Sequence, residues 1–190
     1  MDDDGQWQDI KVGVIGFTPP QIMSWDKGHL EVHGIARGIV ETAEALVPEV
    51  LEAGADIVVA IAHSGIATSH PDGLKENATA ELAQVDGIDA ILFGHAHSVF
   101  PSEAYEGFPG ADLEAGTLHG VPAVMPGFWG SHLGIIDLTL TREGDAWLVS
   151  DSAVENRAIF RREGRDSIPV VGSQQDIVDA VADEHEATIE

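Results

Sequence analysis

The apolar positions of this chain concentrate in two short unbroken runs. One lies in DIVVAIAHSG, residues 56–65, and the other in GIDAILFGHAHSVFP, residues 87–101. Both follow an aspartate, and neither alternates apolar with polar. That pattern predicts parallel strands buried on both faces. Between them residues 76–85 place Ala78, Leu82 and Val85 on one helical face. Strand, helix and strand make a right-handed crossover unit, and such sheets bind ligands beyond the carboxyl ends of their strands.

The flanking pattern extends this α/β reading. KVGVIGF, residues 11–17, predicts a further strand, with glycines that let a neighbour approach closely and Pro19 and Pro20 ending it. Met23, Trp25 and His29 then fall in a loop, with Trp25 as an apolar lid over the sheet edge or, alternatively, a cover over a substrate pocket. Residues 37–53 carry the strongest helical period, through Ile39, Ala43, Leu46 or Val47, and Val50 or Leu51. Gly54 supplies the stop, and Pro48 predicts a bend or two helical pieces. Residues 98–120 predict a long irregular excursion over the site, and residues 121–125 a strand. Ile136, Leu138 and Leu140 alternate with Asp137, Thr139 and Thr141 and predict an antiparallel hairpin at the sheet edge. Beyond Arg161 the text reads as charged loop, and residues 176–189 as an acidic helix.

A length of 190 residues with 44% hydrophobic content suits a globular chain with a sizeable core. A net charge of −24 argues against a nucleic-acid polymer or an anionic membrane as partner. The chain has no cysteine, so disulfides and thiolate metal sites are excluded. No run is long and apolar enough to span a membrane, and the acidic start carries no signal-peptide pattern.

The chemistry concentrates where the two apolar runs end. His63 closes the first run, and His95 and His97 follow the second in Gly-His-Xaa-His. Imidazole ligates zinc, manganese and iron, and these three histidines are the candidate metal ligands. Gly94 is expected to let the backbone turn sharply at this point. His70, in the loop after His63, is a candidate substrate contact, with an ordinary exposed loop residue as the alternative. His132, in PGFWGSHLG, reads as a packed histidine beside Trp129. His29 and His33 read as ordinary surface residues. Ser64 or Ser98 paired with a histidine would make a serine hydrolase. The glycines of a nucleophile elbow are absent, since Ala62 and Ile66 stand in their places.

AHSG followed by FGHAHS resembles the later metal-binding motifs of the calcineurin-like metallophosphoesterases. The wider text is KVGVIGFTPPQIMSWDK, ETAEALVP, QVDGIDAILFGHAHSVFP and GTLHGVPAVMPGFWGSHLGIIDL. It resembles their bifunctional 2',3'-cyclic-nucleotide 2'-phosphodiesterase/3'-nucleotidase branch over residues 11–157. The fold this implies is part of a metallophosphoesterase sandwich: α/β, with a mixed sheet, helices on its faces and a C-terminal antiparallel hairpin. Residues 1–160 would be the C-terminal part of that domain. Residues 161–190 would start a linker helix to a nucleotide-binding domain.

The resemblance implies a two-metal phosphohydrolase in the periplasm or exported, acting on nucleotides with manganese, zinc or iron. It opens 2',3'-cyclic nucleotides and dephosphorylates 3'-nucleotides; the alternatives are a 5'-nucleotidase or nucleotide-sugar hydrolase. By family position His63 and His95 serve one ion and His97 the other. The resemblance also implies that the segment around His132 passes beside the metal centre, which makes His132, as the alternative to a packed histidine, a candidate to orient a ligand from behind. The family's remaining ligands, Asp-Xaa-His, a bridging Asp and Gly-Asn-His, have no counterpart here. The two asparagines, Asn77 and Asn156, do not precede histidine, and Asp183-Glu184-His185 falls in the acidic helix. The general acid of the Asn-His pair is absent too. The expectation is therefore a chain that holds one ion or none and is inactive, or nearly so, alone. The competing expectation is a stand-alone module that binds a metal or a partner without catalysis.

Overall fold

A computed structural model describes residues 5–67 and 75–189. It divides into two compact units, Met1–Arg157 and Ala158–Glu190. In the first, β1 (Val12–Phe17) is followed by two one-turn helices, α1 (Ile22–Trp25) and α2 (Lys27–Leu30). A loop was expected there. The carbonyls of Pro19 and Pro20 accept the N–H groups of Ile22 and Met23 and start the first turn. Next come α3 (Ile39–Glu52), β2 (Ile57–Ala62), α4 (Thr79–Leu82) and β3 (Ala90–Phe93). After β4 (Val99–Phe100) and a 3-10 turn (Glu103–Tyr105) come β5 (Ala111–Asp112), β6 (Thr117–Leu118) and β7 (Val121–Pro126). The unit closes with β8 (His132–Glu143) and β9 (Ala146–Ala158).

The main sheet runs β1-β2-β3-β7-β6-β5, with β4 also paired to β7. β1, β2, β3 and β7 are mutually parallel, and the short strands pair antiparallel. Each aspartate ahead of an apolar run ties one strand to its neighbour. Asp56 Oδ2 accepts the Lys11 N–H at 2.8 Å, and Asp89 Oδ2 accepts the Val58 N–H at 2.8 Å. Burial pushes the Asp89 carboxyl above its ordinary range, and the Val58 hydrogen bond opposes that shift.

The core lies on one face of this sheet. Ile15, Ala60, Ile91 and Ala123 stand in register across four strands and are all buried. Ile39, Ala43 and Val47 of α3 pack into the same cluster. At Gly13 the side chain of Val50 occupies the space a Cβ would take, so α3 reaches β1 only because this position has none. α3 passes through Pro48 as one helix rather than two pieces, and Gly54 ends it at φ +92°. α4 is shorter than the expected helix over 76–85. Residues Glu76 to Ala78 spend their polar groups on Ser64 and Gly65 instead of a helical turn.

The opposite face departs from the expectation of strands buried on both sides. Val14 is 58% exposed and Ile61 47%, and Leu92 is also open. Among the described residues, this face is approached at Val124, where Gly134 of β8 would place a Cβ 2.9 Å from Val124 Cγ2. The β8–β9 hairpin alternates as expected, yet it forms its own two-stranded sheet instead of extending the main one. The excursion over 98–120 is also more ordered than expected. Phe100 is fully buried and packs on Phe93 at 5.7 Å and on Tyr105 at 5.6 Å, so apolar burial folds this segment into the core.

In the second unit the expected charged loop is a hairpin of β10 (Phe160–Glu163) and β11 (Asp166–Pro169), turning at Gly164 with φ +62°. The expected acidic helix is broken into α5 (Gln175–Ala180) and α6 (Ala182–Ile189). No described residue of this unit is buried. Among the described residues no helix is long and apolar enough to cross a membrane.

The two faces of the sheet should respond differently to substitution. Leu82→Ala, at a site with no exposure, should cost about 2–5 kcal/mol in urea unfolding. Val14→Thr, on the open face, should stay within about 0.5 kcal/mol of the parent; a loss as large as that of Leu82→Ala would show that the open face is covered.

Candidate metal centre

Parallel pairing brings the two histidine motifs together. Ala62 of β2 stands opposite Phe93 of β3, so both strands end at the same edge. His63 leaves β2 directly, and its N–H donates to the Phe17 carbonyl at 2.9 Å. His95 follows β3 after Gly94, whose N–H donates to the Ala62 carbonyl at 3.1 Å. His95 Nδ1 then lies 3.2 Å from His63 Nε2, with ring centroids 4.9 Å apart.

The sharp turn is not made by Gly94. A Cβ on Gly94 would meet nothing within 4 Å, and its φ is not positive. The left-handed residues are His95 (φ 69°) and His97 (φ 51°) themselves. Left-handed φ on residues with a side chain carries backbone strain, of the kind that gathers at functional sites. Gly65 is the glycine the turn depends on. A Cβ there would lie 2.7 Å from Ala96 Cβ and 2.7 Å from Asn77 Oδ1, so the loop after β2 packs on the Gly-His-Xaa-His turn through bare backbone. The Gly in AHSG carried that signal in the sequence, but its partner, Ala96, could not be named from spacing.

His97 is separate from the other two. Its ring stacks on Phe128 at 5.0 Å between centroids and 17° between planes. His132 Nδ1 sits 2.9 Å from Ser131 Oγ. That hydroxyl also accepts the Phe128 N–H at 3.3 Å. His132 thus helps shape the loop that presents Phe128 to His97. His70 lies outside the described residues. Trp25 stacks its ring on His95 at 5.3 Å, 27° from parallel, just beyond the end of β3.

Ser64 is excluded as a nucleophile by its surroundings. It is fully buried, its Oγ donates to the Glu76 carbonyl at 2.8 Å, and the same oxygen accepts the Ala78 N–H at 2.8 Å. Both hydroxyl capacities are committed to structure. The two asparagines are also structural. Asn77 Oδ1 accepts the Gly65 N–H at 3.1 Å, and Asn156 Nδ2 donates to the Phe100 carbonyl at 2.8 Å.

One functional contact had no counterpart in the sequence reading. Glu76 Oε1 lies 2.6 Å from His95 Nε2, on the side of the ring away from His63. Nothing in the spacing of residues 76 and 95 announces it, because it depends on the hydrogen bonds that hold residues 76–79 against Ser64 and Gly65. A groove of about 340 Å³ on the open face, lined by Ile61, His63, Leu92, Phe93, Val124 and Gly134 among others, runs up to His63.

The donor set fits a metal ion at one point. Two ring nitrogens about 2.0–2.1 Å from one ion at the tetrahedral angle stand roughly 3.3 Å apart, and the His95–His63 separation is 3.2 Å. Among the described residues no group of three or more His, Cys, Asp or Glu side chains is placed to hold an ion. The pair is therefore a partial set.

Residues 8–99 match the family described as calcineurin-like phosphoesterase. The chain is 45% identical to the 2',3'-cyclic-nucleotide 2'-phosphodiesterase/3'-nucleotidase of Salmonella typhimurium over its full length, covering 29% of that protein. It is 46% identical over 153 residues to the trifunctional nucleotide phosphoesterase protein YfkN of Bacillus subtilis, covering 10% of it. The crystal structure of the calcineurin-like phosphoesterase YfkN from Bacillus subtilis superposes with a TM-score of 0.88 at 40% identity. That superposition covers 99% of this chain and 55% of the other. The chain thus spans less than a third of the length of the curated relatives it matches.

Gly65→Ala should destabilise the chain by about 1–3 kcal/mol in urea unfolding, the ordinary range for overpacking. Adding Ala96→Gly should return part of that loss, since it removes one of the two close contacts. A Gly65→Ala chain as stable as the parent would refute the close approach.

Proposed function

Because this chain belongs to the calcineurin-like phosphoesterases, we propose that it forms part of a two-metal phosphohydrolase. Its substrates are 2',3'-cyclic nucleotides and 3'-nucleotides. The observation that carries this reading is the pair His63 Nε2 and His95 Nδ1, 3.2 Å apart at the carboxyl ends of adjacent parallel strands. In the proposal these two nitrogens serve one ion and His97 serves the other, which agrees with His97 standing apart on Phe128. Imidazole ligands suit manganese, zinc and iron alike.

Bound ions would neutralise phosphate charge and acidify a water molecule. The chain's own residues do the positioning. Trp25 and Phe128 stack on the His95 and His97 rings and limit how they turn. In the first reaction a water oxygen bonds to phosphorus, the bond to O2' breaks, and the 2'-oxygen takes up a proton. The product is a 3'-monophosphate. In the second, water adds again, the bond to O3' breaks, and a nucleoside and inorganic phosphate leave.

The curated relatives support the substrate class, since those from Salmonella typhimurium and Yersinia enterocolitica are named for these two activities and are 45% and 43% identical to this chain. On this reading residues 1–160 are the C-terminal part of the phosphoesterase domain and 161–190 begin a linker to a nucleotide-binding domain. The whole protein then works in the periplasm or outside the cell. His70 and His132 are assigned to substrate contact and ligand support. The 190-residue chain alone should hold one ion or none and turn over little substrate.

The test is hydrolysis of 2',3'-cyclic AMP by the product of the complete reading frame. His63→Ala and His95→Ala should each lower kcat by two orders of magnitude or more, on the order expected for loss of a metal ligand. Chelation should abolish turnover, and added manganese or zinc should restore it. Unchanged turnover in His95→Ala would refute the assignment.

A further inference from the structure

We propose that Glu76 is a positioning residue that holds His95 in its metal-binding tautomer. This rests on the reading of His63 and His95 as a ligand pair and adds the group that prepares one of them. Glu76 Oε1 stands 2.6 Å from His95 Nε2, while His95 Nδ1 faces His63 Nε2 at 3.2 Å. An ionised carboxylate can only accept a hydrogen bond, so at this contact Nε2 carries the proton. In the neutral ring Nδ1 is then the bare nitrogen, and Nδ1 is the atom on the His63 side. Carboxylates that accept from the far nitrogen of a ligating imidazole fix its tautomer and orientation and raise its basicity.

The placement of Glu76 is built into the fold. Five hydrogen bonds clamp the segment from Glu76 to Thr79 onto Ser64 and Gly65, the residues that follow His63. Ser64 Oγ donates to the Glu76 carbonyl and accepts the Ala78 N–H, each at 2.8 Å. The Gly65 N–H donates to Asn77 Oδ1 at 3.1 Å, the Thr79 hydroxyl donates to the Ser64 carbonyl at 2.9 Å, and the Thr79 N–H donates to the Gly65 carbonyl at 3.1 Å. One backbone segment therefore sets both the direction in which His63 leaves β2 and the position of the carboxylate behind His95. Ser64, the most deeply buried polar side chain of the motif together with Thr79, serves this clamp. Trp25 stacks on the His95 ring and restricts rotation away from Glu76.

The experiment compares the 190-residue chain with Glu76→Ala and Glu76→Gln, using zinc titration by calorimetry and nitrogen-15 spectra of the histidine rings. In the parent, His95 should show a protonated Nε2 and a bare Nδ1 before zinc is added. Glu76→Ala should weaken zinc binding by about 10–100-fold, the span usual for loss of such a carboxylate, and His95 should become a mixture of tautomers. Glu76→Gln, which keeps an acceptor at that position without the charge, should retain the tautomer and lose less affinity. The His132 ring should be unchanged in both variants. If Glu76→Ala does not fold, Glu76→Gln and Glu76→Asp carry the comparison. Equal zinc affinity and an unchanged His95 tautomer in all variants would overturn the role of Glu76 while leaving the ligand pair standing. The ring spectra test the inference whether or not the chain takes up zinc: a parent chain whose His95 carries its proton on Nδ1 would overturn it.

Discussion

Everything at the site depends on the parallel pairing of β2 with β3. With Ala62 opposite Phe93, the residues just past each strand end emerge side by side, and the two imidazoles meet although 32 residues separate them. A shift of one residue in that register would send the side chains of one strand to the opposite face. The register is held from below by the buried row Ile15, Ala60, Ile91 and Ala123, and at the strand beginnings by Asp56 and Asp89. Core packing and site geometry are thus consequences of the same pairing.

The loop that follows β2 converts this alignment into a defined centre. Its clamp through Ser64 and Gly65 leaves no room for a side chain at residue 65, and it brings Glu76 behind His95. The turn after β3 accepts positive φ at both His95 and His97, conformations that cost energy on residues with a Cβ. That cost is repaid in direction, since the alternation points His95 at His63 and His97 at Phe128. The apolar face with Val14, Ile61 and Leu92 open, and the groove that follows it to His63, leaves the centre accessible from one side.

The strands, the long helix and the family were legible because each rests on a local pattern: unbroken apolar runs, a 3.6-residue period ended by Gly54, and AHSG with FGHAHS. The resemblance those motifs suggested agrees with the family match over 8–99 and with the 40% identical structure. What escaped was set by tertiary contacts. An apolar run does not say whether both sides are covered, so the open face of β2 and β3, at Ile61 and Leu92, runs against the expectation of strands buried on both sides. Gly94 was chosen for its lack of Cβ, but the left-handed residues are the histidines beside it. The region around Phe100 looked irregular because its order comes from aromatic packing against Phe93 and Tyr105 rather than from periodicity. Glu76 was invisible because acidic residues are common in a chain of net charge −24, and only the fold singles one out.

The central claim is that His63 and His95 share one ion through Nε2 and Nδ1. Anomalous diffraction at the zinc edge from zinc-soaked crystals of this chain tests it most directly. The account predicts a peak about 2.0–2.1 Å from both of these nitrogens, on the side of the His95 ring away from Glu76. A peak bound through His95 Nε2, or zinc found only at other histidines, would contradict it.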